Sequence, residues 1–346
     1  MVYRFVFLSI GMNSYASTVR VGVAGATGYT GVELIRLLSR HPGVRVSAAM
    51  GAPGAAPRQV PALKRLWDEP VNGLDIDALA DASDAVFLAL PDHAAAAIAL
   101  PLVARGKRVF DLSGAFRLRD AEQRRRWYPK TPDAPPSVVY GLTERYRESL
   151  RDSNLVACAG CYPTAAILAL QPLLQASLLD VDAAPIIIDA KSGVSGAGKT
   201  PTERTHFSEC HDSVSAYGVF DHRHAAEIEQ ELGTPVTFVP HLLPIDRGIL
   251  ETIYARLVPG ADEAAVGAAL HAAYADSPFV RLTGKDLPEI KHVAHTNFCD
   301  IGWRVNPATR QIVLISCIDN LVKGAAGQAV QNFNIAFGFD EGLGLN

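Results

Sequence analysis

Several classes of protein are excluded by what this sequence of 346 residues lacks. It has no basic excess, because 36 acidic residues outnumber 32 basic ones, so no surface for nucleic acid or an anionic membrane is expected. It has no run of about 18 apolar residues of the kind that spans a bilayer. Its five cysteines are too few for a disulfide framework and indicate a reducing, cytoplasmic setting.

The first part of the chain alternates apolar strands with helices. The pattern predicts strands at 19–24, 44–50, 84–90 and 108–112, and helices at 31–40 and 92–104. Such alternation is typical of a parallel sheet that is covered on both faces.

The pattern changes near residue 161, and the length predicts two domains at roughly 100–200 residues each. The second part predicts helices at 163–176, 222–232 and 320–337, and strands at 184–190, 236–239, 250–257, 292–302 and 311–318. Because several of these strands follow one another without helices, a mixed, largely antiparallel sheet is expected.

A glycine-rich turn, GATGYTG, joins the first strand to the first helix. Its spacing places Gly22, Gly25 and Gly28 where the backbone would approach a pyrophosphate at a helix N-terminus. A merely tight turn is the alternative, but the strand before and the helix after favour dinucleotide binding. The predicted fold class is therefore α/β, with a Rossmann-like doubly wound parallel sheet plus an α+β domain.

No acidic residue ends the second strand, where an NAD enzyme usually carries Asp or Glu for the ribose hydroxyls. Ser47 and the small residues after it leave room for a 2′-phosphate, and Arg58 is a candidate partner for that phosphate. The sequence therefore favours NADP(H).

The stretch AGCYPTA places Cys161 just before a helix that Pro163 suits at its first turn. The positive end of a helix favours a thiolate, so Cys161 is predicted to be a nucleophile. A structural cysteine and a redox pair with Cys158 remain the alternatives. No metal site is predicted, since the spacing of the Cys and His residues does not match a zinc site.

A nucleophilic thiolate needs a partner that handles the proton. In HRHAAEI, His224 and Glu227 lie three residues apart on one helix face, so Glu227 is expected to orient His224. His241 is the alternative acid/base. Arg117, Lys191 and Lys199 are candidate cations for an anionic substrate.

These motifs together resemble the N-acetyl-gamma-glutamyl-phosphate reductases of the long type, within the aspartate-semialdehyde dehydrogenase-like superfamily. The matching stretches span about residues 19–334 and are GATGYTGVEL, ALPDHAA, DLSGAFRL, YGLTE, AGCYPTA, KSGVSGAGK, HRHAAEI, FVPHLLPIDRGIL, HTNFCDIG and DNLVKGAAGQAVQN. Two positions depart from the family's usual pattern: Ala226 replaces a proline and Lys199 replaces an arginine. The lysine lacks the bidentate fork of an arginine.

The resemblance implies that NADPH reduces N-acetyl-glutamyl 5-phosphate to N-acetyl-glutamate 5-semialdehyde, with release of phosphate, in arginine biosynthesis. The implied route passes through a thioester on Cys161, with His224 as acid/base and Glu227 as its partner. An aspartate-semialdehyde dehydrogenase acting on another acyl phosphate is the first alternative. The second is a regulator that binds NADP(H) without turnover.

The predicted organisation begins with an N-terminal extension at 1–18, for which a weak signal peptide is the alternative. An NADP-binding domain follows at 19–160, and then a catalytic and oligomerisation domain at 161–321. A C-terminal helix at about 322–346 is expected to pack back onto the first domain. A homodimer or homotetramer is expected. Substrate contacts are predicted from Arg117, Ser113, Gly114, Lys191, Ser192, His222 and His241. Cofactor contacts are predicted from Gly22, Gly25, Thr27, Gly28, Tyr29, Thr30, Ser47, Leu90, Pro91, Gly193, Ser195, Gly196 and Asn320.

Overall fold

The computed structural model of the chain describes residues 18–345. The predicted N-terminal extension at 1–18 lies outside these residues, apart from Thr18. No helix in the described range is long and apolar enough to cross a bilayer.

The first sheet contains strands β1 (Val19–Ala24), β2 (Val44–Met50), β3 (Ala85–Leu88), β4 (Arg108–Asp111), β5 (Val139–Gly141) and β6 (Leu155–Cys158). All its neighbouring strands are parallel, in the order β2-β1-β3-β4-β6-β5. The order reverses between β1 and β3, so their carboxyl ends border the crevice in which such sheets bind ligands. The predicted doubly wound parallel sheet is confirmed.

The second sheet contains strands β7 (Ile186–Gly193), β8 (Ser215–Ala216), β9 (Val236–Leu243), β10 (Ile249–Arg256), β11 (Val280–Gly284), β12 (Cys299–Asn306) and β13 (Gln311–Ile318). Its order is β11-β12-β13-β10-β7-β9-β8. Only the pairs β11/β12 and β7/β9 are parallel. The predicted mixed, largely antiparallel sheet is therefore confirmed.

Helices cover both sheets. They are α1 (Tyr29–Leu38), α2 (Ile76–Ala82), α3 (Asp92–Ala104), α4 (Ala121–Trp127), α5 (Thr143–Arg151), α6 (Cys161–Gln175), α7 (Phe207–Cys210), α8 (Arg223–Leu232), α9 (Glu263–Ala273), α10 (Ile290–Val293) and α11 (Gly327–Phe337). A one-turn π-helix, Val322–Ala326, comes directly before α11.

Helix α11 packs on the first sheet, although it follows the second sheet in the chain. The ring of Phe333 on this helix lies 5.7 Å from the rings of Phe87 on β3 and Phe110 on β4. These three side chains are fully buried. Helix α11 therefore completes the core of the first sheet.

The two faces of the second sheet are in different environments, because alternate residues of a strand point to opposite faces. The covered face, represented by Ile188, Glu251 and Ile253, is buried and supports α6. The open face includes Ile187, Asp189, Lys191 and His241, together with Tyr254 and Val313, which stay partly exposed.

One predicted strand, 292–302, is wrong in its first part. Residues Ile290–Val293 form α10, and β12 begins only at Cys299. Between them His295 takes a φ of 65°, in a turn held by a hydrogen bond from its backbone N–H to the carboxylate of Asp319. This long-range bond fixes a turn inside an apolar stretch that otherwise favours a strand.

Candidate active site

A main cavity of about 730 Å³ opens at the carboxyl ends of β1 and β3 and reaches the start of α6. It brings together three segments that are distant in the sequence: the turn after β1, the loop after β7 and the residues around Cys161. The predicted site residues that line it are Gly25, Thr27, Gly28, Tyr29, Thr30, Leu90, Pro91, Arg117, Cys161, Ser195, Gly196, His224 and Asn320.

The glycine-rich turn has the geometry that a pyrophosphate needs. Gly25 has a φ of 88°, and a Cβ atom there would collide with the carbonyl oxygen of Ala89 after β3. Helix α1 begins behind Gly28, and no side chain caps it. The turn therefore leaves backbone N–H groups facing the main cavity, which fits a dinucleotide phosphate.

Three of the predicted cofactor residues lie away from the main cavity. Gly22 packs against Ser83, and the hydroxyl of Ser47 donates to the carbonyl of Val21 inside the sheet. Gly193 packs against the backbone of the β9–β10 loop, where a Cβ would lie 2.6 Å from the carbonyl oxygen of Asp246. Gly31 was not predicted, yet its lack of a side chain lets α1 approach the carbonyl of Gly25.

Small and basic residues line the main cavity beyond the end of β2. Ala52, two residues beyond the end of β2, lines the cavity together with Arg58, and neither residue is acidic. Lys199 also lines it and donates to the carbonyl of Thr27, which joins the loop after β7 to the glycine-rich turn. This part of the cavity therefore has a positive charge.

Cys161 is the first residue of α6 and remains partly accessible from the main cavity. The π-helix forms the wall next to it, since a Cβ on Gly324 would lie 2.7 Å from the Cβ of Cys161. Cys158, in contrast, is buried in β6, and the amide of Asn332 lies 3.7 Å from its sulfur. The two cysteines thus occupy different environments, and neither forms a disulfide.

The expectation of a resting thiolate does not hold. Burial raises the pKa of the Cys161 thiol to about 11, although the backbone N–H of Tyr162 and the charge of Arg117 act in the opposite direction. Desolvation therefore outweighs the helix terminus in the free protein. The raised pKa favours the protonated thiol at neutral pH.

His224 lies next to the residue that precedes the cysteine. Its Nε2 would lie 2.7 Å from a Cβ on Gly160, and its Nδ1 is buried without a hydrogen-bond partner in residues 18–345. Burial, followed by the charges of His222 and Arg117, lowers the pKa of His224 well below its ordinary value. These effects favour the neutral form of the imidazole.

Glu227 is fully buried but has different partners from those expected. Its carboxylate accepts hydrogen bonds from the Tyr140 hydroxyl at 2.7 Å and from the Gly160 N–H at 2.8 Å, and it lies 3.4 Å from Arg117. Within the described range it makes no hydrogen bond to His224. Glu227 thus fixes the backbone before Cys161 rather than the imidazole.

Arg117 is held in place by internal acceptors. Its guanidinium donates to the carbonyls of Cys158 at 2.8 Å and Leu112 at 2.7 Å, and it also contacts Glu227. Its Nη1 would lie 2.9 Å from a Cβ on Gly160. Arg117 therefore supplies a fixed positive charge beside Gly160 and Cys161.

Two other predicted substrate residues follow β4. Ser113 donates to the carboxylate of Asp111, and the N–H of Gly114 donates to Asp92. A side chain on Gly114 would collide with Tyr128. These two residues shape the loop that leads to Arg117 and do not line the main cavity.

Lys191 and His241 lie on the open face of the second sheet. Both contact the carboxylate of Asp189, at 2.6 Å and 3.2 Å. Ser192 points the other way and donates to the carbonyl of Gly193. The structure brings none of these three residues to the main cavity, whereas His222 lines a second, adjoining cavity.

The prediction missed several residues at the site. Tyr162 and Tyr217 have hydroxyl oxygens 3.2 Å apart, and Arg223 lines the main cavity while pairing with Asp92 at 3.0 Å. Glu251 is fully buried on the covered face, with no partner in residues 18–345 for either oxygen. The sequence ILETIYA could have indicated this burial, because Glu251 alternates with Ile249 and Ile253 on the same face of the strand.

Two matches define the class of protein to which this fold and site belong. Residues 20–153 match the NAD binding domain of semialdehyde dehydrogenases, and residues 161–320 match their dimerisation domain. The chain is thus built like a semialdehyde dehydrogenase, an oxidoreductase.

Curated relatives indicate one enzyme family within this class. The chain is 45% identical to N-acetyl-gamma-glutamyl-phosphate reductase of Desulforudis audaxviator, with 94% of this chain and 98% of the relative covered. It is 46% identical to the enzymes of the same name from Symbiobacterium thermophilum, covering 95% and 97%, and Geobacter metallireducens, covering 94% and 98%. The chain belongs to the N-acetyl-gamma-glutamyl-phosphate reductase family.

Solved structures share the fold at low identity. Aspartate semialdehyde dehydrogenase II of Vibrio cholerae superposes with a TM-score of 0.68 at 17% identity, covering 93% of this chain and 99% of that one. The Candida albicans aspartate semialdehyde dehydrogenase with NADP gives 0.66 at 16% identity, covering 92% and 98%. These structures establish the architecture alone.

Proposed function

We propose that the protein is an NADPH-dependent reductase that converts N-acetyl-glutamyl 5-phosphate into N-acetyl-glutamate 5-semialdehyde and phosphate, as a step of arginine biosynthesis. The observation that carries the proposal is the position of Cys161, which begins α6 and opens into the same cavity as the glycine-rich turn. The name shared by the relatives supports the choice of substrate.

The first step is acyl transfer to sulfur. As Cys161 attacks the acyl carbon, the thiol proton passes to the neutral imidazole of His224. A carbon–sulfur bond forms, the bond to the phosphate oxygen breaks, and phosphate leaves. N–H groups of the first turn of α6 stabilise the negative charge that develops on the carbonyl oxygen.

The second step needs a nicotinamide, for which the glycine-rich turn and Lys199 would hold the phosphates. Bound NADPH would supply the hydride that reduces the thioester carbon. The protein's residues keep the thioester in place during this step, because Glu227 fixes Gly160 and Arg117 around it. The proton held by His224 returns to sulfur as the aldehyde leaves.

A preference for NADP(H) over NAD(H) follows from the wall beyond β2. Ala52 offers no carboxylate to ribose hydroxyls, and the exposed Arg58 offers a cation for a 2′-phosphate. Replacing Arg58 with Ser is expected to raise KM for NADP⁺ about 10-fold or more while KM for NAD⁺ stays nearly constant. Equal effects on both cofactors would place the 2′-phosphate elsewhere.

The open face of the second sheet is the proposed interface of a homodimer, from which a homotetramer can also be built. Ile187, Tyr254 and Val313 lie side by side in register across three strands and are only half-buried in one chain. The match of residues 161–320 to a dimerisation domain supports this interface. A cytoplasmic location stays a prediction from the cysteine content.

The proposed function is tested in the direction of phosphate-dependent oxidation. The purified protein is assayed with N-acetyl-glutamate semialdehyde or aspartate semialdehyde, each with NADP⁺ or NAD⁺ and with phosphate. Turnover of the acetylated compound with NADP⁺, and its dependence on phosphate, is the expected result. Turnover of aspartate semialdehyde alone would assign the protein to the sibling reaction, and binding of NADP(H) with no turnover would make it a sensor.

A further inference from the structure

A second cavity of about 510 Å³ adjoins the main cavity at Gly196 and Arg223. Its other walls come from the turn 202–205, from Tyr217 and from His222. The proposed chemistry at Cys161 uses the main cavity, so this second cavity still lacks a ligand.

Two tyrosines connect the nucleophile to the second cavity. Tyr162 follows Cys161 directly, and its hydroxyl lies 3.2 Å from that of Tyr217. Burial raises the pKa of Tyr217, and a negative charge on Cys161 would raise it further, because the two groups lie close together. Cys161 lines the main cavity, and the main cavity shares Gly196 and Arg223 with the second one, so the two spaces are continuous beside Tyr217.

Arg204 is the cation in this cavity that lacks a carboxylate partner. Its guanidinium lies over the ring of Tyr217, 5.2 Å from the ring centre, and it forms no ion pair in the described part of the chain. Arg223, in contrast, pairs with Asp92 of the first domain at 3.0 Å. Glu203 also lines the cavity, but its carboxylate forms no ion pair with Arg204 either.

Two reciprocal hydrogen bonds hold the turn that carries Arg204. The hydroxyl of Thr202 accepts from the N–H of Thr205, and the hydroxyl of Thr205 accepts from the N–H of Thr202. These reciprocal bonds fix the backbone on both sides of Arg204, so little ordering is needed when a ligand binds. Because burial lowers the pKa of His222 to about 4, the positive charge here comes from the arginines.

We propose that the second cavity binds the carboxylate end of the acyl substrate, and that Arg204 is the specificity-determining residue that receives this carboxylate. The proposal rests on the proposed function, which supplies a substrate with a reacting acyl group at one end and a carboxylate at the other. A guanidinium can bind such a carboxylate through two parallel N–H···O hydrogen bonds.

The test compares two aldehydes in the phosphate-dependent assay: N-acetyl-glutamate semialdehyde and its α-carboxamide, which differs in lacking the negative charge. Arg204→Gln is expected to lower kcat/KM for the carboxylate compound about 10- to 100-fold, mainly through KM, and to leave the carboxamide unaffected. Arg204→Lys should recover part of the loss. KM for NADP⁺ should not change.

Arg126→Gln is the matched control, because Arg126 is also an exposed arginine over an aromatic ring, 4.8 Å from the centre of Trp127 on α4. It should match the unmodified protein with both aldehydes. An equal loss on both aldehydes in Arg204→Gln, or no loss on either, would overturn the role of Arg204 while leaving the proposed function intact. Failure of the unmodified protein to oxidise the carboxylate compound would overturn both.

Discussion

Both sides of the second sheet carry carboxylates and histidines, but these side chains are in different environments on the two sides. On the covered face, Glu251 has no hydrogen-bond partner among residues 18–345, while Cys161 and His224 line the cavity at the start of α6. On the open face, Asp189 is paired with Lys191 and His241, close to a half-buried apolar row. A carboxyl group and a histidine therefore lie buried without ion pairs on one side and in a partly exposed pair on the other, because burial differs between the two faces.

The largest expected effect comes from comparing Cys161, on the side of the covered face, with Cys317, on the open face. Cys161→Ser should lower the rate of reduction by at least about 10⁴-fold. The reason is that a serine hydroxyl loses its proton much less readily than a thiol and is a weaker nucleophile. Binding of NADPH, measured by fluorescence titration, should change little. Cys317→Ser, on the opposite face, should keep near-normal turnover. Substantial activity in Cys161→Ser would remove the thioester from the mechanism.

The histidines of the two faces provide the second test. His224→Asn removes the proton acceptor at the main cavity and is expected to lower kcat by about 10²- to 10⁴-fold. His241→Asn removes a contact to Asp189 on the open face and should cost less than about 10-fold. The kcat values of the two variants at pH 7 to 9 give the comparison. The reverse order would move the acid/base role to His241.

A third test addresses the open face itself. Tyr254→Asp places a charge in the centre of the proposed interface, where burial without a partner is unfavourable. Sedimentation should then report a mass near that of one chain, 37.0 kDa, in place of the dimer. Leu66→Asp, at an exposed apolar residue of the first domain, is the control and should stay dimeric. A dimeric Tyr254→Asp variant would place the interface elsewhere.

The smallest expected effect concerns the buried carboxyl group of the covered face. Burial raises the pKa of Glu251 well above its ordinary value, so the folded state binds its proton more tightly than the unfolded state does. The proton on Glu251 therefore adds to the free energy of unfolding. This stabilisation is fully present below the unfolded pKa of about 4.3 and is lost as the pH rises through the folded pKa. Glu251→Gln does not titrate and should therefore gain stability relative to the unmodified protein as the pH rises.

Urea unfolding at pH 5 and pH 8 measures this difference. At pH 8 the Gln variant is expected to be more stable by about 1–3 kcal/mol, with a smaller gain at pH 5. Glu148→Gln, at an exposed surface pair, should show no such trend with pH. A Gln variant that is less stable at pH 8 would mean that the carboxylate has an ionic partner.

Local sequence patterns predicted the elements that local interactions decide. The β-branched run Val19–Ala24 and the alanine-rich helix Asp92–Ala104 have the predicted bounds. The strand predicted at 292–302 failed because a distant carboxylate, that of Asp319, holds the turn at His295. Contacts of this kind leave no periodic signal in the sequence.

The site shows the same limit. Spacing on α8 correctly placed His224 and Glu227 on one side of the helix, but Tyr140 and Gly160, from other segments, take up the carboxylate of Glu227. The helix start at Cys161 predicted a thiolate, and burial, which depends on the whole fold, reversed that expectation. Lys191 and His241 were misplaced because a strand sequence alone does not show which face the helix covers.

The π-helix at Val322–Ala326 joins the candidate site to the core of the first sheet. Gly324 forms the wall beside the Cys161 side chain, and Phe333, a few residues later, closes the core of the first sheet. A substitution that shifts this short segment would therefore disturb both places at once. Packing far from the cavity thus helps to set the shape of the wall beside the sulfur.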